Sequence, residues 1–539
     1  MSFDSNISEI SKKQFDILED EKERLCEFCE KEGELFLYGA GTIGERILNL
    51  ITDLKIDVSG FIVTNPSIKK YYHALPVYSL NEFRDKIKNK DVKVILAFEN
   101  ANIDKFRQAM PNQNYHLYKI SENALNLMLV ESGCKNLISI LRKDSHSFPT
   151  NNKKMVESEK QKIENVLIVR LDALGDLVCS TALIREVRRN CPHANIVMIT
   201  NNKNINLLKN CPYIDDLIGY ESQNDGDLYS AFGKIKRIEE RVLEFIKLKK
   251  ILETEFDFIF LPRALLTGAV GCIDEVMLAA FCKHKECITH IIDLDTYGIE
   301  KMCYAFLSNI FSGVIFQTEK KHETEYQLEV LEKSGFIVQE RKNELWLSEL
   351  DRFEAMKLLS KSIPNYNSID KMIAIGVVGS MQAQNWDVKN FRKLIKMINE
   401  HSDKYIFLIL GGDDAKDAAH YISEGIENCI NFAGKTNLSQ VVSLINCCMM
   451  YIGVDTGLSH VADALEKKRI TLFRFPNDKE GKTSFWVKRW GTQSLNSVNI
   501  HPSLNLEGCY MDCQKKYPHC INQILPEAVY EQFIMIENK

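Results

Sequence analysis

The stretch CCMMYIGVDTGLSHVADAL, residues 447–465, decides how the rest of the chain is interpreted. Its first half, up to Val454, is short and almost entirely apolar, which predicts a strand buried on both faces of a parallel sheet. Asp455, Thr456 and Gly457 interrupt this run, and apolar residues then recur at helical spacing. A strand that turns directly into a helix aims several backbone N–H groups at one point. The turn therefore predicts a cradle for a diphosphate, in which Gly457 admits the ligand and Thr456 adds a hydroxyl.

A plainer interpretation of the same turn stays open at this point. Thr456 or Ser459 could simply cap the helix at a strand-to-helix connection of no special function. His460 lies one turn into the helix, where it either contacts a phosphate or packs against a neighbouring side chain. A second stretch of the sequence favours the ligand-binding interpretation.

That second stretch is RLDALGD, residues 170–176, which follows the buried strand NVLIVR. Its position at the end of a first strand, where a helix begins, places the carboxylate of Asp176 at the rim of a cleft. Asp172 is a second carboxylate in the same turn and could share its role. A helix N-terminus favours an ionised carboxylate, so we expect a low pKa for Asp176. The alternative is that Asp176 only caps the helix.

Length and composition limit the classes of function. The chain has 539 residues, which corresponds to about three domains of roughly 150 residues each. Its net charge is -6 and its basic residues are scattered, which argues against a nucleic-acid partner. The first residues are polar, and no apolar run reaches the ~18 residues of a transmembrane segment, so the sequence predicts a cytoplasmic protein. Most of the sixteen cysteines are then expected to be reduced core residues.

The N-terminal part of the chain carries a glycine motif. A short strand at 34–38 leads into GAGTIG, in which Gly39, Gly41 and Gly44 form a GxGxxG before a helix and a second strand. Thr64 and Asn65 stand where the acidic residue that binds a ribose is usual, which argues against NAD. The segment is either a nucleotide-binding loop or a degenerate fold that binds nothing.

Strands alternate with helices along the rest of the chain, which predicts parallel, doubly wound sheets. The polar stretch around 143–162 reads as an exposed linker. We therefore predict an N-terminal Rossmann-like domain at 1–142, a lobe at 163–344 and a second lobe at 345–539. The fold class is α/β, with two Rossmann-like lobes facing a cleft where ligands bind.

The two stretches together resemble glycosyltransferase family nine, the heptosyltransferase family of the GT-B fold. The resemblance covers roughly residues 164–530 and is also carried by HETEYQLEVLEKSGF at 322–336 and FAGKTNLSQ at 432–440. The strand FDFIFLPR at 256–263 is similar to a subset of the family that includes enzymes that glycosylate bacterial surface proteins.

The resemblance implies an inverting glycosyltransferase that needs no metal or other cofactor for catalysis. It also implies that the helix from Pro526 to the end crosses back onto the first lobe. Asp176 would be the general base that removes the proton of an acceptor hydroxyl. The donor would be a nucleotide-diphosphate sugar, with ADP-heptose as the first expectation. The acceptor would be lipopolysaccharide, another surface glycan or a glycoprotein, reached from the cytoplasm at the periphery of the inner membrane.

The same resemblance implies a set of donor-binding residues in the second lobe. The backbone at Thr456, Gly457 and Leu458 would hold the leaving diphosphate, where preorganised donors matter most. Asp414 stands where relatives carry an acidic residue that binds the ribose hydroxyls, and its alternative is a solvated loop. The other donor-binding candidates are Asp455, His460, Lys435 and Ser380.

One departure from the family pattern concerns the loop after the first strand of the second lobe. Relatives carry a basic pair there, and its lysine meets a phosphate, whereas this chain has Gln384 and Asn385. Lys435 is the candidate that compensates for the lost charge. Trp386, which follows, is expected to pack in the core rather than stack on a base.

Three cysteines near the C-terminus, Cys509, Cys513 and Cys520, lie within twelve residues. In a subset of relatives a cluster at this place binds a metal, so a structural metal is one interpretation. The spacing does not match a standard zinc pattern, and packing cysteines are the other interpretation.

Two other functions stay open. The chain could be a nucleotide-sugar-binding protein without catalysis, built on a decayed transferase, which the loss of the basic pair favours and the intact Asp176 disfavours. Alternatively, the N-terminal domain could have a separate nucleotide- or sugar-modifying activity.

Overall fold

The structure is a computed structural model. It describes residues 19–39, 54–64, 71–96, 103–121, 162–221, 248–264, 282–292, 313–363, 371–476, 484–503 and 518–537, apart from 73, 89, 112–113, 318, 403, 493 and 495. It also describes Gly44, Ile47, Leu48, Ile51, Thr52, Glu275, Leu278 and Ala279. Within these ranges, no helix combines the length and apolar composition needed to cross a membrane.

Three six-stranded sheets follow one another along the chain, as the alternating pattern predicts. All of their strand pairs are parallel except the one in the first sheet between Tyr71–Tyr72 and Leu75–Ser79, which is antiparallel. The first sheet contains β1 Glu34–Tyr38, β2 Gly60–Val63, β3 Tyr71–Tyr72, β4 Leu75–Ser79, β5 Val92–Leu96 and β6 Tyr115–Lys119, in the order β3-β4-β2-β1-β5-β6. Its described helices include α1 Leu80–Lys86 and α2 Ile103–Ala109, and residues 19–30 are also helical.

The second and third sheets have the same layout as each other. The second contains β7 Asn165–Arg170, β8 Asn195–Asn201, β9 Asp216–Tyr220, β10 Glu255–Ala264, β11 Lys283–Ile292 and β12 Gly313–Gln317, in the order β12-β11-β10-β7-β8-β9. The third contains β13 Lys371–Gly376, β14 Tyr405–Leu410, β15 Cys429–Asn431, β16 Met450–Val454, β17 Lys468–Leu472 and β18 Ser497–Ile500, in the order β15-β14-β13-β16-β17-β18.

Helices accompany both sheets. Those of the second sheet are α3 Leu174–Cys179, α4 Thr181–Asn190, α5 Lys249–Glu253 and α6 Glu323–Lys333. Those that follow are α7 Glu349–Ser362, α8 Val388–His401, α9 Lys416–Ser423, α10 Leu438–Cys447, α11 Gly457–Ala464, α12 Phe485–Trp490 and α13 Pro526–Glu537. Strands such as β7 and β16 are buried along nearly their whole length, which explains their continuous apolar sequences.

In each sheet the chain starts in the middle, adds strands to one side, and then returns to the other side of its first strand. The reversal lies between β1 and β5, between β7 and β10, and between β13 and β16. Ligands of open parallel sheets bind outside the carboxyl ends of the strands at this reversal. The fold therefore places the turn after β7, which contains Asp176, and the turn after β16, which contains Thr456, at the binding edges of their sheets.

The terminal helix differs from the prediction. Its apolar residues Val529, Phe533 and Ile536 are buried in the core of the third sheet, and it packs on α8 and β17. Ion pairs from Lys393 to Glu527 and from Lys371 to Glu537 fix both of its ends to the same lobe. The expected crossing back onto the first lobe is therefore absent from the part of this helix that the structure describes.

We propose that the three sheets form the domains predicted at 1–142, 163–344 and 345–539. Residues 143–161 of the predicted linker lie outside the described residues. The segment at the boundary near 344 joins two sheets: Asp351 of α7 accepts hydrogen bonds from Lys209 (2.7 Å) and Asn210 (2.8 Å), while α7 itself packs on α10.

Candidate active site

A buried arginine stands at the carboxyl end of β7. Arg170 is the last residue of the strand and is 1% exposed. Its Nε lies 2.8 Å from Oδ1 of Asp172, and its Nη2 lies 3.1 Å from Oδ1 of Asp176. The same Nη2 donates to Oε1 of Glu323 at 3.2 Å. One guanidinium is therefore shared among three carboxylates at the binding edge of the second sheet.

Glu323 connects this cluster to the third sheet. It is the first residue of α6, which begins there because the His322 side chain accepts a hydrogen bond from the Thr324 amide. Its side chain is fully buried, and Oε2 receives Nε (2.8 Å) and Nη2 (2.7 Å) of Arg489 from α12. Burial alone would raise the pKa of Glu323, but Arg489 and Arg170 hold it well below its usual range, so the carboxylate is ionised.

Asp176 has a raised pKa. Its removal from water and the neighbouring charge of Asp172 raise the pKa to about 7, against the opposing effect of Arg170. The side chain keeps 22% of its surface exposed, so it can still meet a ligand. The low pKa that we expected from the helix N-terminus is therefore wrong, because that argument left out burial and the adjacent carboxylates.

The turn after β16 is a helix start with well-defined capping. Thr456 is the residue before α11, and its Oγ1 accepts the amide of Leu458 at 3.0 Å. Ser459 reciprocates, since its Oγ accepts the Thr456 amide at 3.4 Å. The capping interpretation of this turn is thus present in the structure. This capping bond occupies the amide of Leu458, which was predicted to bind the diphosphate. The positive end of the helix dipole and the backbone of Gly457 still lie at the edge of the sheet.

Asp455, which precedes Thr456, is a second carboxyl group with a raised pKa. Burial raises its pKa to about 7, although Arg469 opposes the rise, Asp176 adds to it and Arg474 also opposes it. The carboxylates at the two binding edges therefore influence each other across the boundary between the sheets.

The binding edges of the second and third sheets are in contact at two glycines, Gly175 and Gly457. A Cβ added to Gly175 in α3 would lie 2.6 Å from Cδ2 of His460 in α11, and one added to Gly457 would lie 2.8 Å from Cβ of Leu174. Real Cβ atoms do not approach other atoms this closely, so only glycine allows α3 and α11 to pack at this distance.

His460 is part of that contact. Its Nδ1 lies 3.8 Å from Sγ of Cys179, its Nε2 lies 3.8 Å from Oδ1 of Asp455, and its ring packs against Trp490. Burial, and then Arg469, lower its pKa to about 3, so the ring is neutral at pH 7. This environment favours the packing role of His460 over the phosphate contact that we also considered.

Replacement of Gly175 by alanine is expected to lower the free energy of unfolding by about 1–3 kcal/mol, because the new methyl group displaces the His460 ring. The loss should be smaller in the His460→Ala background, where the methyl group has room. Denaturant unfolding of the two single variants and the double variant measures this difference. Equal losses in both backgrounds would show that the two helices do not pack through this contact.

The loop that lacks the basic pair is shaped by its own amide side chains. Gln384 is buried, and its Oε1 accepts hydrogen bonds from the Ser380 hydroxyl (3.1 Å) and the Met381 amide (3.0 Å). Asn385 accepts the amide of Gly379 at 2.8 Å. Ser380 itself is exposed, so it lies on the outside of this loop and stays a donor-binding candidate.

Trp386 is a core residue, as expected. It is 1% exposed, its Nε1 donates to the carbonyl of Ile524 at 2.9 Å, and its ring packs edge-on against Phe391. Replacement by leucine is expected to lower the free energy of unfolding by about 2–4 kcal/mol through the lost volume. Donor affinity, measured by calorimetry on the folded variant, should not change. A large loss of affinity with unchanged stability would indicate stacking on a base instead.

Asp414 and Lys435 lie on two neighbouring turns, after β14 and β15. The turns are joined by a hydrogen bond from the Gly434 amide to the Gly411 carbonyl (3.0 Å). Both side chains are exposed, and Nζ of Lys435 donates to the Asn431 carbonyl at 2.9 Å. The structure thus brings these two candidates to one edge of the third sheet, but their contact with a donor stays a prediction.

In the first sheet, Gly39 follows β1 with a positive φ of 123°, and its amide donates to Ile62 at 2.8 Å. Gly44 has no room for a side chain, because an added Cβ would lie 1.8 Å from the Gly39 carbonyl oxygen. Gly41 lies outside the described residues, so the predicted nucleotide loop is described only at its two ends. Tyr38 donates to or accepts from Thr64 at 2.9 Å, at the place where an acidic ribose ligand is missing.

Cys509 and Cys513 also lie outside the described residues, while Cys520 is buried. The described residues contain no cluster of three or more His, Cys, Asp or Glu side chains that could hold a metal. The predicted metal at the three cysteines stays a prediction.

Sequence reasoning missed Arg170, Glu323 and Arg489, which organise the site. A basic residue that ends a buried strand was a signal for Arg170, since burial of arginine requires acidic partners. The run FWVKRW around Arg489 gave no comparable signal.

Comparisons with known proteins find similarity to one family of enzymes. Residues 304–505 match the model of glycosyltransferase family 9 (heptosyltransferase). Lipopolysaccharide heptosyltransferase 3 of Escherichia coli K12 is 24% identical over 304 residues, which cover 56% of this chain and 79% of that protein. Lipooligosaccharide heptosyltransferase 2 of Haemophilus influenzae is 22% identical over 322 residues, which cover 57% of this chain and 83% of that protein.

A solved structure shows the same fold. The crystal structure of a family 9 glycosyltransferase from Veillonella parvula DSM 2008 superposes with a TM-score of 0.53 at 16% sequence identity. The match covers 72% of this chain and 99% of that one. The chain is therefore a glycosyltransferase of GT-B architecture, as the sequence predicts.

Proposed function

Because the chain carries a glycosyltransferase family 9 domain, we propose that it is an inverting enzyme that transfers a heptose from ADP-heptose to a saccharide acceptor. The single observation that carries the catalytic part is the carboxylate of Asp176. It is partly exposed at the binding edge of the second sheet, has a pKa raised to about 7, and acts through its charge on Asp455 in the turn after β16. A base with a pKa near the working pH is well matched to proton transfer.

In this reaction Asp176 takes the proton of an acceptor hydroxyl while the oxygen attacks the anomeric carbon. The bond from that carbon to the diphosphate breaks on the opposite face, so the configuration inverts and the nucleotide diphosphate leaves with both bonding electrons. The developing negative charge is stabilised at the start of α11, where the helix dipole and the open backbone at Gly457 lie at the edge of the sheet.

Positive charge near this turn comes from arginines. Arg469 and Arg474 are buried, and both lower the pKa of Asp455, which shows that their charges act at the turn. We propose that they take over part of the role of the basic pair that Gln384 and Asn385 replace. The reaction then needs no metal, in agreement with the family resemblance, and the donor is held by fixed cationic groups.

The acceptor follows from the names of the relatives. Those reported above are heptosyltransferases of lipopolysaccharide and lipooligosaccharide, and this chain covers 79% and 83% of their lengths. This favours a lipid-linked oligosaccharide over a protein acceptor.

Isothermal titration of the full chain without metal tests the donor. The ligands are ADP-heptose, UDP-GlcNAc, GDP-mannose and their bare nucleotides. We expect saturable binding of ADP-heptose with weaker binding of ADP, followed by transfer to oligosaccharide acceptors of lipopolysaccharide type. Selective binding of another sugar nucleotide would change the donor. Binding without transfer to any acceptor would support the decayed transferase, which the replaced basic pair favours.

A further inference from the structure

The ion-pair cluster around Arg170 contains one fully buried carboxylate, that of Glu323. We propose that Glu323 is a positioning residue for the catalytic base: it occupies the Arg170 guanidinium that would otherwise neutralise Asp176, and Arg489 of the other lobe holds it there. This inference rests on the proposed function, because it assigns a role in the reaction for which Asp176 is the base.

The hydrogen bonds of Glu323 support this role. Oε1 receives Nη2 of Arg170 (3.2 Å) and Nε2 of Gln327 (3.1 Å), and Oε2 receives two nitrogens of Arg489. The carboxylate is therefore held at both oxygens. Among the described residues, Asp176 has only Nη2 of Arg170 as a cationic contact, and it shares that nitrogen with Glu323. A shared donor neutralises each acceptor less than a dedicated one, so Asp176 keeps its affinity for a proton.

Charged groups from several surrounding elements act on Asp176. Asp172 from the turn after β7 and Glu323 from α6 raise its pKa, while Arg170 from β7 and Arg489 from α12 lower it. Across the boundary between the lobes, the charge of Asp176 raises the pKa of Asp455. Two of these groups, Glu323 and Arg489, lie away from the exposed edge of the site, and they act in opposite directions.

Because Glu323 and Arg489 have opposite effects on the pKa of Asp176, their replacements should shift that pKa in opposite directions. In Glu323→Gln the Arg170 guanidinium is released to Asp176, and we expect the acidic limb of the kcat/KM profile to move down by about 1–2 pH units. In Arg489→Met a cation is lost and Glu323 draws more on Arg170, so the limb should move up. Glu329→Gln, the same change on the same helix where Glu329 pairs with Lys321 at 2.7 Å, should leave the limb unmoved.

A second readout needs no substrate. Because the folded pKa of Asp176 lies above the unfolded value, its protonation stabilises the fold below about pH 4 and this contribution is lost as the pH rises towards about 7. The melting temperature of the chain minus that of its Asp176→Asn variant should therefore decrease from about pH 4 to about pH 7. In the Glu323→Gln background the upper end of the window should move down, and in the Arg489→Met background it should move up.

The outcomes separate the two proposals. Shifts of the melting window in opposite directions, without any transfer activity, would uphold the effect of Glu323 on the pKa of Asp176 and reject the transferase. The other outcome is reduced activity while the pH windows of the Glu323→Gln and Arg489→Met variants stay unmoved or move in the same direction. It would show that Glu323 and Arg489 only hold the lobes together. If Glu323→Gln does not fold, the upward shift of Arg489→Met decides the question alone.

Discussion

Replacement of Asp176 by asparagine is expected to lower kcat/KM for sugar transfer by about 10²–10⁴-fold, the contribution of a positioned general base. Asparagine keeps the shape of the side chain but cannot take the proton of the acceptor hydroxyl. Donor binding should persist, because the proposed donor site lies at the edge of the third sheet and Asp176 belongs to the second. The loss should therefore appear in kcat, and the donor dissociation constant from calorimetry should change little.

The matched control is Asp216→Asn, the same chemical change at an exposed residue at the start of β9 in the same lobe. We expect that variant to retain full activity. In the unchanged chain, kcat/KM should rise with pH and level off above about pH 7, because the base must be ionised and its pKa is raised to about 7. An active Asp176→Asn variant with an unchanged pH profile would remove Asp176 from the reaction and direct attention to Asp172.

The parts of the fold that depend on local pattern could be predicted from sequence. Alternating apolar strands and helices predict three parallel sheets, and the two turns with Asp176 and Thr456 could be placed at the binding edges because each follows a buried strand. Trp386 could be assigned to the core for the same reason. These inferences rest on hydrophobic periodicity, which depends only on residues that are close together in the sequence.

What could not be predicted depends on contacts between distant segments. Arg170, Glu323 and Arg489 are each more than 150 residues apart in the chain, and no local pattern pairs them. The pKa of Asp176 was predicted in the wrong direction because the helix N-terminus is a local feature, whereas its burial and the charge of Glu323 come from the assembled lobes. The terminal helix was misplaced for a related reason: its apolar face shows that it packs, but not on which lobe.

Replacement of Arg170 by methionine is expected to be the most destabilising of these changes, at about 3–5 kcal/mol of unfolding free energy. Methionine fills much of the same volume but leaves Asp172, Asp176 and Glu323 near one another without their shared cation. Removal of one partner from a buried ion pair is costly because the remaining charge has lost its water and gains no substitute. Denaturant unfolding of the full chain measures the loss.

Arg341→Met is the matched control, since Arg341 also pairs with two carboxylates, Glu325 and Glu332, each at 2.8 Å. Its side chain is 43% exposed, so water and salt screen those pairs and we expect a loss of only about 0–1 kcal/mol. The number of ion pairs is comparable in the two places, and burial alone separates the expected effects. Equal losses would mean that water reaches the Arg170 cluster.

The free energy of unfolding of the Arg170→Met variant should also depend on pH differently from that of the unchanged chain. Without the cation, the folded pKa of Asp176 should rise further above its unfolded value, because Arg170 no longer opposes the effects of burial and of Asp172. The contribution of this carboxyl group to stability is present at low pH and lost as the pH rises through the folded pKa. Both chains lose it together up to about pH 7, so the stability gap between them should widen only as the pH rises above about 7. A gap that stays constant over this range would show that the lost stability comes from packing and not from the carboxylates that Arg170 holds together.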